Sequence, residues 1–380
     1  MIARTLKAGI AAAFVAAVLA VPASAQNSTM GVGSNFMGYT FDAGLGADAV
    51  QLFMVPVAVR FPITDAISVD LSTAWAQGEI ERDNTRFTMS GVTDTHLKLS
   101  YSVTPWALLS FGAGIPTGNS THTGEEAIVA SVLATDLLGF RETTWGSGSG
   151  FTSALATAAR VGGWGVGFAG AYSVRGEFEP STDLDLSYRP GNETRIRVGL
   201  DRNIGTNTLT LGATFRQYES DQADGINLFQ AGNRLRFDAA YAFRAGSGVW
   251  TVYAADVIRE TGDLTLSIVD NIGAIVGDTA IATPKQNMLV VGVMGSIQVG
   301  GGFAFRPHID LRLQDRTEPD STDPGSGWML AAGGDLPMRL FGGYDFFPKL
   351  RILYGSIIDA TGAGVDVMGA EFSGTVRWIF

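Results

Sequence analysis

Charged side chains recur at every second position in several short segments. Arg195-Ile-Arg197, Arg234-Leu-Arg236-Phe-Asp238 and Arg306-Pro-His308-Ile-Asp310-Leu-Arg312 all follow this spacing. A guanidinium holds its charge and grips carboxylate or phosphate through a planar fork. At a spacing of two, such groups form a ladder on one face of an extended strand. The chemistry this predicts is recognition of anions rather than bond making. Catalysis would need other groups. The histidines are His96, His122 and His308, with Ser100 and Asp310 two to four residues from His96 and His308. A hydrolytic triad requires serine, histidine and carboxylate to converge, and nothing local brings them together. Gly165-Val-Gly167-Phe-Ala-Gly170 matches a dinucleotide fingerprint, but that motif needs a strand-to-helix turn and here lies inside one alternating segment. The chain has no cysteine, so thiolate metal sites, disulfides and cysteine nucleophiles are excluded. The expectation is no catalytic residue, no metal and no cofactor. A lipid hydrolase is the enzymatic alternative.

The elements that must carry these residues share a period of two. Ile67, Val69, Leu71, Thr73 and Trp75 alternate with Asp70, Ser72, Ala74 and Ala76. Leu97, Leu99 and Tyr101 alternate with His96, Lys98 and Ser100. Such alternation is the signature of β-strands. The segments are about ten residues or slightly more, long enough to cross a bilayer at a tilt. Their apolar face carries Trp75, Trp106, Trp164, Trp328, Tyr354 and Trp378 near strand ends, whereas the other face mixes glycine, serine and full charges. This suits lipid outside and water inside. Backbone groups in lipid must all be paired, so the sheet must close. The fold expected is all-β, a transmembrane antiparallel up-and-down β-barrel. Its strands are placed near 34–43, 50–60, 66–78, 93–103, 105–116, 151–161, 163–175, 193–203, 206–218, 233–244, 248–260, 286–298, 301–314, 327–340, 347–359 and 366–380. Sixteen is the count, with fourteen as the alternative. Short turns alternate with long polar loops at 79–92, 117–150, 176–192, 219–232, 261–285 and 315–326, as between periplasmic and outer ends of a barrel.

Composition agrees. Hydrophobic residues make up 46% and charged residues 17%, against about 25% charged in an ordinary soluble chain. That excludes disorder. The net charge of −11 argues against nucleic acid, which selects basic surfaces. Residues 1–25 read as a signal peptide: Arg4 and Lys7, an apolar run from Ala8 to Val21, then an Ala23-Ser24-Ala25 cleavage site. Residues 26–380 would form the barrel. The longest uncharged later stretch, Asn287 to Phe305, is broken by glycines and reads as two strands and a turn.

Parity assigns Lys98, Arg195, Arg197, Arg216, Arg234, Arg236, Asp238, Arg306, His308, Asp310, Arg312, Arg351 and Arg377 to the lumen. Asp256, Asp335, Lys349 and Glu371 join them. Bases outnumber acids there, which favours anions in the pore; the alternative is a set of Arg–Asp ladders that only satisfies a polar interior. Acidic residues such as Glu79, Glu125, Asp221, Glu318 and Asp320 fall in loops. In loop 117–150, Thr123-Gly-Glu-Glu126 fits a capping box. It is followed by Ala127, Ile128, Val129, Val132, Leu133, Leu137 and Leu138, with Gly139 as a stop. Ile128, Val129, Val132, Leu133 and Leu137 are the candidates for a constriction or capture helix. The alternative is a helix packed on the rim or on a neighbouring subunit.

Phe372, Gly374, Val376, Trp378 and Phe380 share one face of the last segment. This resembles the C-terminal signal of Gram-negative outer-membrane barrels, in which Trp378 and Phe380 would be read by the assembly machinery. The family's glycine falls at the position of Thr375; here it is Gly374. Gly114-Ile-Pro-Thr-Gly118 is similar to a motif in outer-membrane transporters of aromatic-degradation pathways, a group related to hydrophobic-compound channels. These resemblances imply an outer-membrane location, contact with lipid and lipopolysaccharide, and a small-molecule solute. In general porins the third loop folds inward, and in fatty-acid channels a loop helix helps form a capture site. The function expected is passive uptake of small amphipathic or anionic solutes such as hydrophobic carboxylates. The alternatives are a general diffusion porin for hydrophilic solutes and a structural or adhesive barrel. Oligomerisation is compatible with all of these.

Overall fold

The computed structural model describes residues 28–42, 46–269, 275–300, 303–317, 325–340, 343–358 and 364–380. The expected signal peptide, Glu318 and Asp320 lie outside the described residues. Sixteen strands form the barrel wall. The first eight are β1 (Thr29–Phe41), β2 (Ala49–Pro62), β3 (Ile67–Arg82), β4 (Thr95–Thr104), β5 (Ala107–Ile115), β6 (Gly150–Val161), β7 (Trp164–Arg175) and β8 (Glu193–Ile204). The second eight are β9 (Asn207–Tyr218), β10 (Arg234–Ala245), β11 (Gly248–Arg259), β12 (Lys285–Gly300), β13 (Phe303–Thr317), β14 (Gly325–Asp335), β15 (Tyr344–Ile358) and β16 (Gly364–Ile379). Each pairs antiparallel with the next, and β16 returns to β1 with Phe36 opposite Phe372, so the sheet closes.

The large apolar side chains stand on the outside. Phe36 lies between Phe53 and Phe372 across three strands, and all three are more than a third exposed, as are Trp75, Phe168, Phe237 and Tyr354. Trp378 stacks on Tyr344 at 5.7 Å and meets Phe380 in a tilted contact at 4.7 Å. Turns at one end are short. Gly162 and Gly163 both have positive φ, the conformation of a two-residue hairpin turn that only glycine adopts freely.

Three expectations need correction. Asp256 faces outward, because it is paired with Phe237 and Leu289, while Tyr253, Val257 and Arg259 face the lumen. The run Val249 to Ala255 is mostly apolar on both parities, so alternation did not fix its phase; pairing with β10 does. Next, the long outer connections are not plain loops. β3 continues to Arg82 and turns back as Thr85–Val92. Ser220–Ala223, Ile226–Gln230, Asp263–Val269 and Ile275–Ala282 join Tyr188–Arg189 in a separate five-stranded sheet. Finally, the loop helix α1 (Gly124–Leu133) ends at Leu133 rather than at Gly139. Leu137 sits in the turn that follows.

The helix does begin where the capping box lies. The Thr123 hydroxyl accepts from the Glu126 N–H, and the Glu126 carboxylate accepts from the Thr123 N–H. Its segment folds inside the barrel. Val129, Leu133, Leu137, Leu138, Phe140 and Trp145 form one apolar cluster with inward residues of the wall: Met37 and Tyr39 on β1, Leu52 and Met54 on β2, Ala76 and Ile80 on β3, Met329 on β14 and Leu353 on β15. Gly78 permits the approach, since a Cβ there would lie 2.8 Å from Leu133 Cδ1. Each buried leucine contributes roughly 1.5–3 kcal/mol. Ile128 stays exposed, and Val132 is only partly buried against the cluster.

Because Leu133 is fully buried, Leu133→Ala should cost about 2–5 kcal/mol. Thermal unfolding in detergent, followed by heat-modifiable electrophoretic mobility, would register the drop. An unchanged transition would mean that the helix is not docked.

Candidate functional site

The inward loop is held at its base by one carboxylate. Asp94 lies just before β4. Its Oδ1 accepts from the Gly118 N–H at 3.0 Å, and its Oδ2 from the Ser147 N–H at 2.7 Å. Its own N–H donates to the Trp145 carbonyl at 2.9 Å. Thr117 adds a hydroxyl bond to the Thr93 carbonyl at 3.0 Å. The two ends of the loop therefore cross at Asp94. Gly118 must be glycine there, because a Cβ would lie 2.0 Å from the Trp145 carbonyl oxygen. This gives the Gly114–Gly118 motif a local role: it ends β5 and starts the crossing.

Beyond the base, the loop meets a compact charge network. Arg351 reaches Glu371 at 3.1 Å with one arm of its fork and Asp310 at 2.9 Å with the other. Lys349 donates to Glu371 at 2.9 Å, and Arg312 to Asp310 at 3.3 Å. His308 Nε2 lies 3.3 Å from Asp310. Asp310, Arg351 and Glu371 are buried. Arg312 also donates to the Leu137 carbonyl at 3.2 Å, and Arg141 of the loop lies 3.6 Å from Glu371. Gly139, at positive φ, leaves room for Arg312, whose Nη1 stands 2.2 Å from where a Cβ would be. Leucine side chains thus fix one flank of the loop and charges the other.

A second group lies on β8 to β11. Arg197 forms a two-pronged pair with Asp238, 2.8 Å on each arm, and Arg236 lies 3.8 Å from the same carboxylate. Arg195 binds Glu193 at 2.6 Å. Among the described residues, neither Arg216 nor Arg234 has a carboxylate within 4 Å. Arg234 instead lies over the Tyr218 ring at 5.8 Å.

Two cavities run between these groups. One of about 620 Å³ has Met288, Val290, Met294 and Tyr253 on one side and the paired charges of Arg306, His308, Asp310, Arg312, Asp335, Lys349 and Arg351 on another. The other, of about 200 Å³, has Arg216, Arg234, Arg236 and Arg259 around Val257 and Met288. Asp136, in the turn after α1, borders both. It lies 3.8 Å from Arg259 and accepts from Gln286 at 3.2 Å.

The structure therefore gathers most of the lumen residues expected from parity into two groups. Lys98 stands apart, paired across the sheet with Asp70. Arg377 is separate too, bound to Asp345 at 2.6 Å. Sequence reasoning missed Asp94 and Asp136, which sit in connections where alternation gives no direction. It missed Arg259 through the inverted phase of β11. The signal for the docking sector was present in β2, where Ala49 to Val59 is apolar on both faces but for Gln51.

Outside the membrane span, His122 precedes the helix and bridges to Ser181 of the next loop. Burial holds its pKa below 6.5, opposed by the nearby Glu126 carboxylate, and its ring nitrogens lack hydrogen-bond partners.

No family model and no curated protein matches the chain. Among solved structures, the chain is similar to OmpT, an outer membrane protein of Vibrio cholerae, at 9% identity over 94% of this chain and 99% of that one, with a TM-score of 0.45. It is also similar to OmpF of Salmonella typhi, solved in complex with daunomycin, at 13% identity over 92% and 97% of the two chains, with a TM-score of 0.44. The translocator domain of the autotransporter NalP from Neisseria meningitidis is matched at 8% identity over 99% and 98%, with a TM-score of 0.33. By its own architecture the chain has the fold of a transmembrane β-barrel: closed, antiparallel, apolar outside and charged within.

Asp94→Ala removes carboxylate hydrogen bonds worth about 1.5–3 kcal/mol each. The loop base should open, and conductance in planar bilayers should become larger and noisier; a trace identical to the parent would refute the clamp. A second expectation concerns pH. The folded-state pKa of His122 is depressed, so its contribution to docking is complete above about pH 6.5 and is lost as pH falls through the lower folded value. Conductance noise should rise on acidification, and His122→Phe should remove that dependence.

Proposed function

We propose that this chain is an outer-membrane channel for passive uptake of small amphipathic anionic solutes, hydrophobic carboxylates foremost. The observation that carries this reading is the pair of cavities: thioether and aliphatic side chains of β11 and β12 line both, and in the smaller one four arginines face a single carboxylate. A solute with an acidic head and an apolar body fits both walls at once. The wall of a general diffusion pore for hydrophilic solutes has no need of Met288, Val290 and Met294.

The inward loop supports the same reading. It fills one sector of the lumen with apolar side chains and directs passage toward the arginines. Asp136 pairs with Arg259 at 3.8 Å, which ties the loop to the wall on this side and leaves Arg216 and Arg234 facing the cavity. A low-dielectric wall with one dominant sign concentrates counter-ions. Arginine suits this role better than lysine, because its fork matches a carboxylate. No step of this mechanism makes or breaks a bond. His308 is engaged with Asp310, which in turn is held by Arg351 and Arg312.

Reversal potentials in a salt gradient test the proposal. The parent should be anion selective, and Arg234→Gln with Arg236→Gln should lower that selectivity. Cation selectivity, or no change in the variant, would overturn it. So would hydrolysis of lipid by the purified barrel that His96→Ala abolishes.

A further inference from the structure

The strand register aligns arginines in a row that no single segment reveals. Arg195 on β8 is directly opposite Arg216 on β9, which is opposite Arg234 on β10, which is opposite Arg259 on β11. Gln286 on β12 and Arg316 on β13 continue the row. All lie at the loop ends of their strands. Like charges directly opposite one another on a sheet are destabilising, so such a row needs negative charge from elsewhere. Glu193 supplies it at one end through Arg195, and Asp136 reaches Arg259 from the loop. The middle pair, Arg216 and Arg234, receives none from the described residues. Arg234 Nε is moreover buried without a hydrogen-bond partner. These two side chains open on the 200 Å³ cavity, where four arginines face one carboxylate over an apolar floor of Val257 and Met288.

We propose that this cavity is a binding site for one small carboxylate solute. The carboxylate sits between Arg216 and Arg234, and the apolar body lies over Val257 and Met288. This rests on the channel reading and sharpens it: the solute is captured at a saturable site before it passes. Inorganic oxyanions satisfy the arginines but leave the floor wet. Neutral apolar molecules cover the floor but leave Arg216 and Arg234 without a counter-charge. A compact carboxylate does both.

Calorimetric titration of the folded barrel in detergent with benzoate tests the site directly. Saturable binding of about one benzoate per chain is expected, weakened at high salt because charge drives it. Arg216→Gln with Arg234→Gln should weaken it at least tenfold. Met288→Gln should weaken benzoate severalfold and leave acetate unaffected. If the double variant does not fold, each single replacement is read alone, with Arg234→Lys testing the planar fork at constant charge. Inorganic phosphate or cyclohexanol binding as tightly as benzoate would overturn the assignment, as would benzoate binding unchanged in the arginine variants. Single-channel recording separates this proposal from the function it rests on. Chloride conductance without benzoate binding removes the site and leaves the channel. Benzoate binding to a barrel that does not conduct removes the channel and leaves the site.

Discussion

A chain that crosses hydrocarbon has no water to satisfy its peptide groups, and this fixes almost everything else about the molecule. Pairing β16 with β1 leaves no open edge in the wall. Once the sheet is closed, each side chain has only two directions. Phe53, Phe237 and Phe372 can face lipid because lipid accepts them. Arg197, Asp310 and Glu371 can exist at membrane depth only because the other direction offers partners and a cavity.

The interior is built in two unlike sectors. Toward the loop ends of β1 to β3 and β14 to β16 the inward face is apolar, and the loop carrying α1 covers it. Along β9 to β13 the inward face carries many charges and lines cavities. The loop belongs to both sectors. Its leucines are seated in the apolar one, and its Leu137 carbonyl, Asp136 and Arg141 reach the charged one. A segment bound on two flanks and tied at its base by Asp94 is a wall of the passage rather than a tail inside it.

The two groups of charges differ in kind. Around Arg351 the ions are buried and mutually satisfied, so deleting one partner would strand the other at a cost of about 3–5 kcal/mol. That group anchors the loop. Around Arg216 and Arg234 positive charge is in excess and lies open to a cavity. A structural network has no use for such an excess, whereas an anion-handling surface does.

The wall was legible in the sequence. Its period of two follows from strand geometry alone, so the number of strands, their limits to within a few residues, and the outward aromatic rows could be read without coordinates. The Thr123–Glu126 cap was equally legible, since it depends on residues three apart. Phase failed in β11 because Val249 to Ala255 offers nearly the same hydropathy to both faces, and only pairing with β10 sets it. The hairpins above the barrel were hidden by their polarity, which resembles that of a loop. The clamp at Asp94, the role of Asp136 and the arginine row depend on register between distant segments and on where a loop folds back. Local pattern determined which residues face inward along most of the wall. Only closure of the sheet and docking of the loop decided which of them meet, because contact across a lumen is a property of the whole circumference.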